Sequence, residues 1–374
     1  MANGLLSSVR HARFWAGGSR SLSRQRGASR HSVNLLRYTL AMAIGLGSVT
    51  GVLAAGMVFG MTSIALGGEA PPLSGGRALF ASGGDDRRLS AIGKLVDAGD
   101  LAAARKMLAE EVASRGESYP TIFLEAKILF REHKYQESLR VLERVLALDQ
   151  RDPEAYKLVA SDAILLERMD IAEQALKRAA QLAPHDYLVF FNLGALYYTD
   201  SRFAAAQPEL EKSVSLNPDY VPTQLFLGLT LEELGKEPLA LDCYHRAIEL
   251  AERSGFKGEQ PYLYPGRLLY RENKLEESLP YLQKAAKANP QSCETLCLLA
   301  RIYTSQDRET DAVAALNQCV QADPKQSEAH YLLSRAYVKQ GRTEDAAQEL
   351  ALFQELKKHE QNKKDYRKNQ RANP

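Results

Sequence analysis

Apolar residues follow two different patterns along this chain, and both predict helices. The 31 residues from Tyr38 to Gly68 carry no charge, and a helix of about 20 apolar residues is enough to span a bilayer. After Asp85 the apolar residues are instead spaced as on one face of a helix, for example Phe190, Leu193 and Tyr197. The pattern predicts an all-α protein with an amphipathic helical body behind an apolar segment.

The helical body repeats itself, mostly every 34 residues. A second small residue follows the first by twelve positions, and a proline closes several of the units because its ring cannot continue a helix. One pair of helices cannot bury its own apolar face, so the units are expected to stack. The first small residue recurs as Ala126, Ala160, Gly194, Gly228, Gly266, Ala300 and Ser334.

These residues resemble the tetratricopeptide repeat (TPR) family. The resemblance covers residues 85–360 and implies an all-α, right-handed superhelical solenoid whose concave groove, lined by the first helices, binds peptides or protein segments. The first unit is the weakest match, since Ile92 replaces its small residue. The predicted units are 85–118, 119–152, 153–186, 187–220, 221–254, 259–292, 293–326 and 327–360.

The segment before the repeats predicts a membrane anchor. Residues 38–66 are predicted to be a transmembrane helix, and 67–84, rich in Gly, Pro and Ser, a flexible linker. Seven Arg precede the helix, so the positive-inside rule puts residues 1–37 in the cytoplasm and the repeats outside it, as in a bacterial inner-membrane protein with a periplasmic domain. A cleaved signal peptide and a mitochondrial targeting sequence are the alternatives.

Charge is segregated along the chain behind a formal net charge of +2. Residues 1–68 hold seven basic and no acidic residues, and residues 357–374 hold seven basic and two acidic ones. The part between them therefore has 34 basic and 44 acidic residues. The basic tail, 361–374, could attract nucleic acid or anionic lipid, but a solubilising end cap is the favoured interpretation and no nucleic acid partner is expected.

A stripe of basic and aromatic residues is predicted on the groove side of the first helices. Arg267, Arg301 and Arg335 occupy one position in three consecutive units, and we call them the arginine ladder. None has a carboxylate three or four residues away, where a partner on the same helix would stand. Two interpretations remain open, a site for carboxylate-bearing peptides and an ordinary solvated face. The candidate peptide-binding residues are Lys127, Phe130, Arg131, Phe191, Tyr198, Arg267, Tyr270, Arg271, Arg301, Tyr331, Arg335 and Lys339.

No motif of a nucleotide site, a catalytic triad or a zinc hydrolase occurs, so the sequence predicts no catalytic residue, no metal and no cofactor. Cys293 and Cys297 are four residues apart, their oxidation state stays open, and Cys319 is expected in the packed core. Two function classes remain: a membrane-tethered scaffold for protein segments at the cell envelope, and a non-catalytic subunit of an envelope enzyme or secretion complex. A mitochondrial receptor is a third.

Overall fold

The structure is a computed structural model that describes residues 85–372. Within this range the chain forms sixteen α-helices and no strand, and consecutive helices pair as the two halves of a unit. The first helices of the eight units are α1 (Asp85–Ala98), α3 (Tyr119–Arg131), α5 (Pro153–Leu165), α7 (Tyr187–Thr199), α9 (Val221–Glu233), α11 (Gln260–Arg271), α13 (Cys293–Ser305) and α15 (Ser327–Lys339).

The second helices alternate with the first ones and pack against them. Most first helices also contact the first helix of the next unit, so the units stack in sequence order. This arrangement confirms the predicted all-α solenoid of helix pairs. The second helices are α2 (Leu101–Arg115), α4 (Tyr135–Leu148), α6 (Met169–Leu182), α8 (Phe203–Leu216), α10 (Glu237–Ser254), α12 (Leu275–Ala288), α14 (Glu309–Ala322) and α16 (Thr343–Ala372).

Local signals in the sequence set where the helices begin. Asp152 and Asp186 stand just before α5 and α7, and each side chain accepts a hydrogen bond from a backbone N–H of the first turn, at 2.9 Å in both cases. This satisfies a donor that a helix start leaves unpaired. Prolines such as Pro184 follow two residues after a second helix has ended, where their missing N–H does no harm.

The turn between the two helices of a unit always passes through the left-handed region. Three of the eight turn residues are glycine, which adopts this conformation freely, but five are not. Sequence reasoning singled out only four of these turn residues. The residues with positive φ are Gly99, His133, Glu167, Ser201, Gly235, Asn273, Asp307 and Gly341.

The glycines at the first small position lie in close contact with the second helix of their own unit. A Cβ built on Gly194 would stand 2.6 Å from Cγ of Leu210, and one on Gly228 would stand 2.4 Å from Cε1 of Tyr244. Both large residues are completely buried. The core is therefore a series of small-against-large contacts, repeated from unit to unit.

The predicted membrane span, residues 38–66, lies outside the described residues, as do the leader at 1–37 and the linker at 67–84. Among the helices between residues 85 and 372, none combines the length and the apolar character that crossing a bilayer requires.

Candidate functional site

The arginine ladder lies on the first helices of the last three units, and two of its members pair with carboxylates. Arg267 Nη1 donates to Glu294 Oε1 at 3.2 Å, and Arg301 Nη2 donates to Glu328 Oε1 at 2.8 Å. Arg267 and Arg301 are therefore paired, although neither has a carboxylate three or four residues away on its own helix. Each partner stands 27 residues later, in the first turn of the next unit's first helix, which a search along one helix does not reach.

Three of the four other predicted basic residues also connect neighbouring units. Arg271 pairs with Glu232 of the preceding unit, and Lys339 Nζ lies 2.6 Å from Glu309 Oε1. Arg131 Nη2 donates to the carbonyl of Asp97 at 2.9 Å. Counting Arg267 and Arg301, four of the seven predicted basic residues are therefore paired with carboxylates of the solenoid itself.

Arg335 is the exception at the end of the ladder. In the described part of the chain no carboxylate pairs with it. The partners of Arg267 and Arg301 come from the first helix of the next unit, and no ninth unit follows Arg335 in the described residues. Its guanidinium instead lies 5.9 Å from the ring centre of Tyr331, and both side chains are exposed. A cation beside an accessible aromatic ring can hold a carboxylate and pack against apolar groups at the same time.

Burial and neighbouring carboxylates together set the pKa values of Arg267 and Arg301. Arg267 is half-buried over the ring of Tyr264, at 5.1 Å. Burial opposes its charge, but attraction by Glu294 and Glu232 outweighs this, so the pKa of Arg267 is raised. The pKa of Arg301 is raised in the same way, by its hydrogen bond to Glu328 against the effect of burial. These inner arginines therefore stay charged and engaged.

The predicted aromatic contacts divide between the core and the surface. Phe130 is 1% and Phe191 3% exposed, and both belong to core clusters, so a peptide has no access to their rings. The next unit's first helix packs over these positions, which makes them part of the interface between units. Tyr198 is half-buried against Phe203 and Phe226, and burial raises its pKa to about 12.

Lys127 and Tyr270 are both partly accessible. Lys127 Nζ lies 5.7 Å from the ring centre of Phe123, and Tyr270 packs on the cluster around Leu282. The structure thus brings Arg267, Arg301, Arg335 and their aromatic neighbours together along units six to eight. It places Lys127 and Arg131 in the second unit, apart from them.

A disulfide joins the two helices of the seventh unit, between Cys293 and Cys319. Sequence reasoning compared Cys293 with Cys297 and assigned Cys319 to the core; Cys319 is indeed fully buried, and it is also bonded. The thiol of Cys297 stays free, and burial raises its pKa to about 12. Among the described residues no three His, Cys, Asp or Glu side chains gather as metal ligands would.

Asp162 is a buried acid that sequence reasoning did not single out. Its side chain on α5 is completely buried, and neither carboxylate oxygen has a hydrogen-bond partner. Ser138 lies nearby, but its hydroxyl donates to the carbonyl of Ala126 at 3.1 Å. Burial, partly offset by Ser138, raises the pKa of Asp162 to about 8. At the equivalent position five other units have an aliphatic residue, such as Leu196 and Leu268, and the fifth unit has Thr230, so a charged residue at a mostly apolar position was the available signal.

Stacked antiparallel helix pairs with one side of charged and aromatic residues define a helical-repeat protein that other polypeptides can contact along its length. Tetratricopeptide repeat models match residues 123–187, 188–220, 265–327 and 305–361, together about half of the chain. The chain therefore belongs to the tetratricopeptide repeat family. Proteins of this family are generally non-catalytic scaffolds for protein interactions.

Among curated proteins, the chain is similar to parts of longer proteins. It is 23% identical over 209 residues to the cell division cycle protein 27 homolog of Caenorhabditis elegans, covering 56% of this chain and 26% of that protein. It is 24% identical over 141 residues to the anaphase-promoting complex subunit CDC16 of Saccharomyces cerevisiae, covering 36% and 16%. The chain thus spans about a quarter or less of these relatives.

Solved structures share the fold. The APC/C hetero-tetramer Cut9–Hcn1 superposes with a TM-score of 0.53 at 15% identity, over 82% of this chain and 54% of that one. A tetratricopeptide repeat protein from Parabacteroides merdae superposes with a TM-score of 0.51 at 16% identity, over 67% and 98%. At such identities the likeness concerns the arrangement of the helices alone.

Proposed function

We propose that this chain is a non-catalytic, membrane-tethered scaffold that binds a carboxylate-bearing protein segment along the first helices of units six to eight. The observation that carries the proposal is the open end of the arginine ladder, where Arg335 has no carboxylate in the described chain and lies beside the exposed ring of Tyr331. Arg301 and Arg267 continue the line inward, each already holding a glutamate. A bound segment would engage Arg335 first and compete with Glu328 for Arg301.

Acidic peptide binding should respond in opposite directions to two neutralising substitutions. Arg335→Gln removes the open cation and should weaken binding of a fluorescein-labelled oligoglutamate peptide about tenfold, since a charge-assisted hydrogen bond contributes about 1.5–3 kcal/mol. Glu328→Gln frees Arg301 from its partner (2.8 Å) and should strengthen binding several-fold. Fluorescence anisotropy of the peptide measures both effects.

Arg140→Gln is the matched control, because Arg140 is exposed on the second helix α4, away from the ladder. It should leave the affinity unchanged, and all three variants should keep the thermal unfolding midpoint within a few degrees because exposed ion pairs contribute little. Equal affinities for Arg335→Gln, Glu328→Gln and the parent protein would rule out the ladder as the binding site.

The tether and the compartment are supported by two independent features. Seven Arg precede the uncharged run at 38–68, which favours export of the repeats on its other side. The Cys293–Cys319 disulfide belongs to the part that would be exported, and disulfides persist mainly in oxidising compartments. Export of the repeats across a bacterial inner membrane accounts for both.

Alkaline phosphatase fused after Pro374 should be active in bacterial cells, because this enzyme needs disulfides that form outside the cytoplasm. Deleting residues 38–66 should abolish that activity while leaving the amount of fusion protein similar. The intact protein should also remain in membranes washed with carbonate. Active fusion recovered in the soluble periplasmic fraction would indicate a cleaved signal peptide, and an inactive intact fusion would contradict export.

A further inference from the structure

A cation beside an aromatic ring in the second unit repeats the arrangement at the open end of the arginine ladder. Lys127 on α3 occupies the ladder position of its unit. Its Nζ lies 5.7 Å from the ring centre of Phe123, four residues earlier. The guanidinium of Arg335 lies 5.9 Å from the ring centre of Tyr331, also four residues earlier. The second and the eighth unit therefore carry the same pair at the same position.

Lys127 has no carboxylate partner in the described chain, and the contacts of the next unit show why. The two inner arginines of the ladder each pair with a glutamate 27 residues later. The residue 27 positions after Lys127 is Glu154, but Lys157 holds this glutamate, with Nζ 2.5 Å from Oε1. Lys157 is 5% exposed and also lies 3.1 Å from Oδ2 of Asp186. Glu154 is therefore engaged within its own unit.

Arg131, one turn further along α3, adds a second cation at this end. Its Nη2 donates to the backbone carbonyl of Asp97, and its Nε is buried without a hydrogen-bond partner in the described chain. Burial lowers the pKa of Arg131, and attraction by the carboxylate of Asp97 offsets only part of this effect. Because residues four apart share a helix face, a carboxylate bound at Lys127 is also attracted by Arg131.

The ladder position is uncharged in units three to five, between these two ends. It holds Ser161, Ala195 and Leu229 there, each at most 5% exposed. Tyr198, predicted on the groove side, is half-buried and packs against Phe226 with ring centres 5.7 Å apart. In units six and seven the ladder arginines are already paired with glutamates. Unpartnered cations of the ladder position thus stand in the second and the eighth unit of the described chain.

We propose that the bound segment is held at both ends, with one acidic stretch at Arg335, a second acidic stretch at Lys127, and uncharged residues between them. This inference rests on the proposed function and names the kind of segment that the scaffold binds. Each acidic stretch meets a cation beside an aromatic ring. Charges in the middle of the segment would lose water beside Ala195 and Leu229 without gaining a partner.

The stacking of the units sets the length of the segment. Lys127 and Arg335 are six units apart. Neighbouring helices pack about 8–10 Å apart, so the path along the first helices is about 50–60 Å. An extended chain covers about 3.3 Å per residue, so the uncharged middle needs about 15–18 residues. A middle of about four residues, about 13 Å long, cannot reach both ends.

Three fluorescein-labelled peptides test the two-ended binding in the full-length chain, purified in dodecyl maltoside. The single-block peptide carries one run of three glutamates. The long peptide carries two such runs joined by about 30 glycine and serine residues, and the short peptide two runs joined by about four. By fluorescence anisotropy, the parent chain should bind the long peptide about fivefold more tightly than the single-block peptide, because its second run binds within the same complex. The short peptide should gain about twofold at most, from its second run as an alternative first contact.

Lys127→Gln should remove the gain of the long peptide and leave the affinity for the single-block peptide within about twofold. One block binds mainly at Arg335, because a guanidinium holds a carboxylate through two hydrogen bonds and an ammonium does not. Lys212→Gln is the matched control, since Lys212 is an exposed lysine on the second helix α8, and it should keep the gain. Circular dichroism should be the same for all variants.

Two-ended binding is overturned if Lys127→Gln keeps the gain of the long peptide, if Lys212→Gln also loses it, or if the short peptide binds as tightly as the long one. The single-block peptide tests the proposed function separately. If Arg335→Gln leaves its affinity unchanged, the ladder itself is not the site. If Arg335→Gln weakens it and the gain of the long peptide does not depend on Lys127, only the contact in the second unit is rejected.

Discussion

Asp162→Thr should raise the free energy of unfolding by up to about 4 kcal/mol at pH 7. The native carboxyl is fully buried with both oxygens unpartnered, and its pKa rises from 3.8 to about 8, at about 1.4 kcal/mol per pH unit. Threonine is close to aspartate in size, and its hydroxyl can donate to the carbonyl four residues earlier. Thr230 does this at the equivalent position of the fifth unit, to Phe226 at 2.7 Å. Urea denaturation followed by circular dichroism measures the difference.

The sign of the pH dependence follows from where the proton is bound. The unfolded Asp162 carboxyl loses its proton above about pH 4, while the folded one keeps it up to about pH 8. Unfolding therefore releases a proton within this window, and the stability of the parent chain falls as the pH rises through it. Threonine has no proton to lose, so the advantage of Asp162→Thr should be small at pH 4, grow up to pH 8 and then level off.

Two further variants make this test specific. Asp162→Asn keeps the shape and removes the charge, so its advantage should show the same rise with pH even if its unpaired amide makes it smaller. Asp242→Thr changes an exposed aspartate on α10 and should alter stability by less than about 0.5 kcal/mol at any pH. An Asp162→Thr advantage that stays constant between pH 4 and pH 8 would show that the buried carboxyl does not titrate as described.

The helix pairs could be predicted from the sequence because the residues that determine them are local and repeated. Spacing at i, i+3, i+4 and i+7 sets the buried face, and a small residue every 34 positions marks the close approach that Gly194 and Gly228 show in the structure. Eight copies of one rule reinforce each other, so a single departure such as Ile92 does not obscure it.

The charged contacts could not be predicted in the same way, because they join residues of neighbouring units. Arg301 meets Glu328 through a displacement of 27 residues, which combines the length of a unit with the offset between two positions on a helix. The same stacking buries Phe130 and Phe191, which a single helix would expose on its groove side. Predicting the site required the distance between neighbouring first helices as well as the face of each.

Asp162 and Leu350 show a third limit of prediction from the sequence. Asp162 stands at a position that five of the other seven units fill with an aliphatic residue, and it is buried with neither carboxylate oxygen hydrogen-bonded. Leu350 obeys the repeat pattern and is nevertheless exposed, because nothing in the described chain stacks on the eighth unit. The repeat pattern shows which residue type occupies a position, but it does not show whether a neighbouring unit covers that position.

Gly228→Ala should lower the free energy of unfolding by about 2 kcal/mol. The new Cβ would stand 2.4 Å from Cε1 of Tyr244, whose side chain is completely buried. Overpacking costs about 1–3 kcal/mol, and the better helix propensity of alanine returns up to about 1 kcal/mol. Tyr244 also donates to Glu232 at 2.9 Å, and Glu232 holds Arg271, so displacing the ring loosens the contact between units five and six. Thermal and urea unfolding measure the loss.

Two further variants distinguish the steric clash with Tyr244 from the general effect of replacing glycine by alanine. Gly93→Ala on α1 meets only Leu124 Cδ2, at 3.9 Å, and should raise stability by about 0.5–1 kcal/mol. Tyr244→Leu alone leaves a cavity and an unpaired Glu232 oxygen. In the double variant, however, the alanine at position 228 faces a leucine, which is the pair that Ala126 and Leu142 form in the second unit. The double variant should therefore be more stable than the sum of the two single changes predicts. Strict additivity would mean that the glycine is not required by the ring of Tyr244.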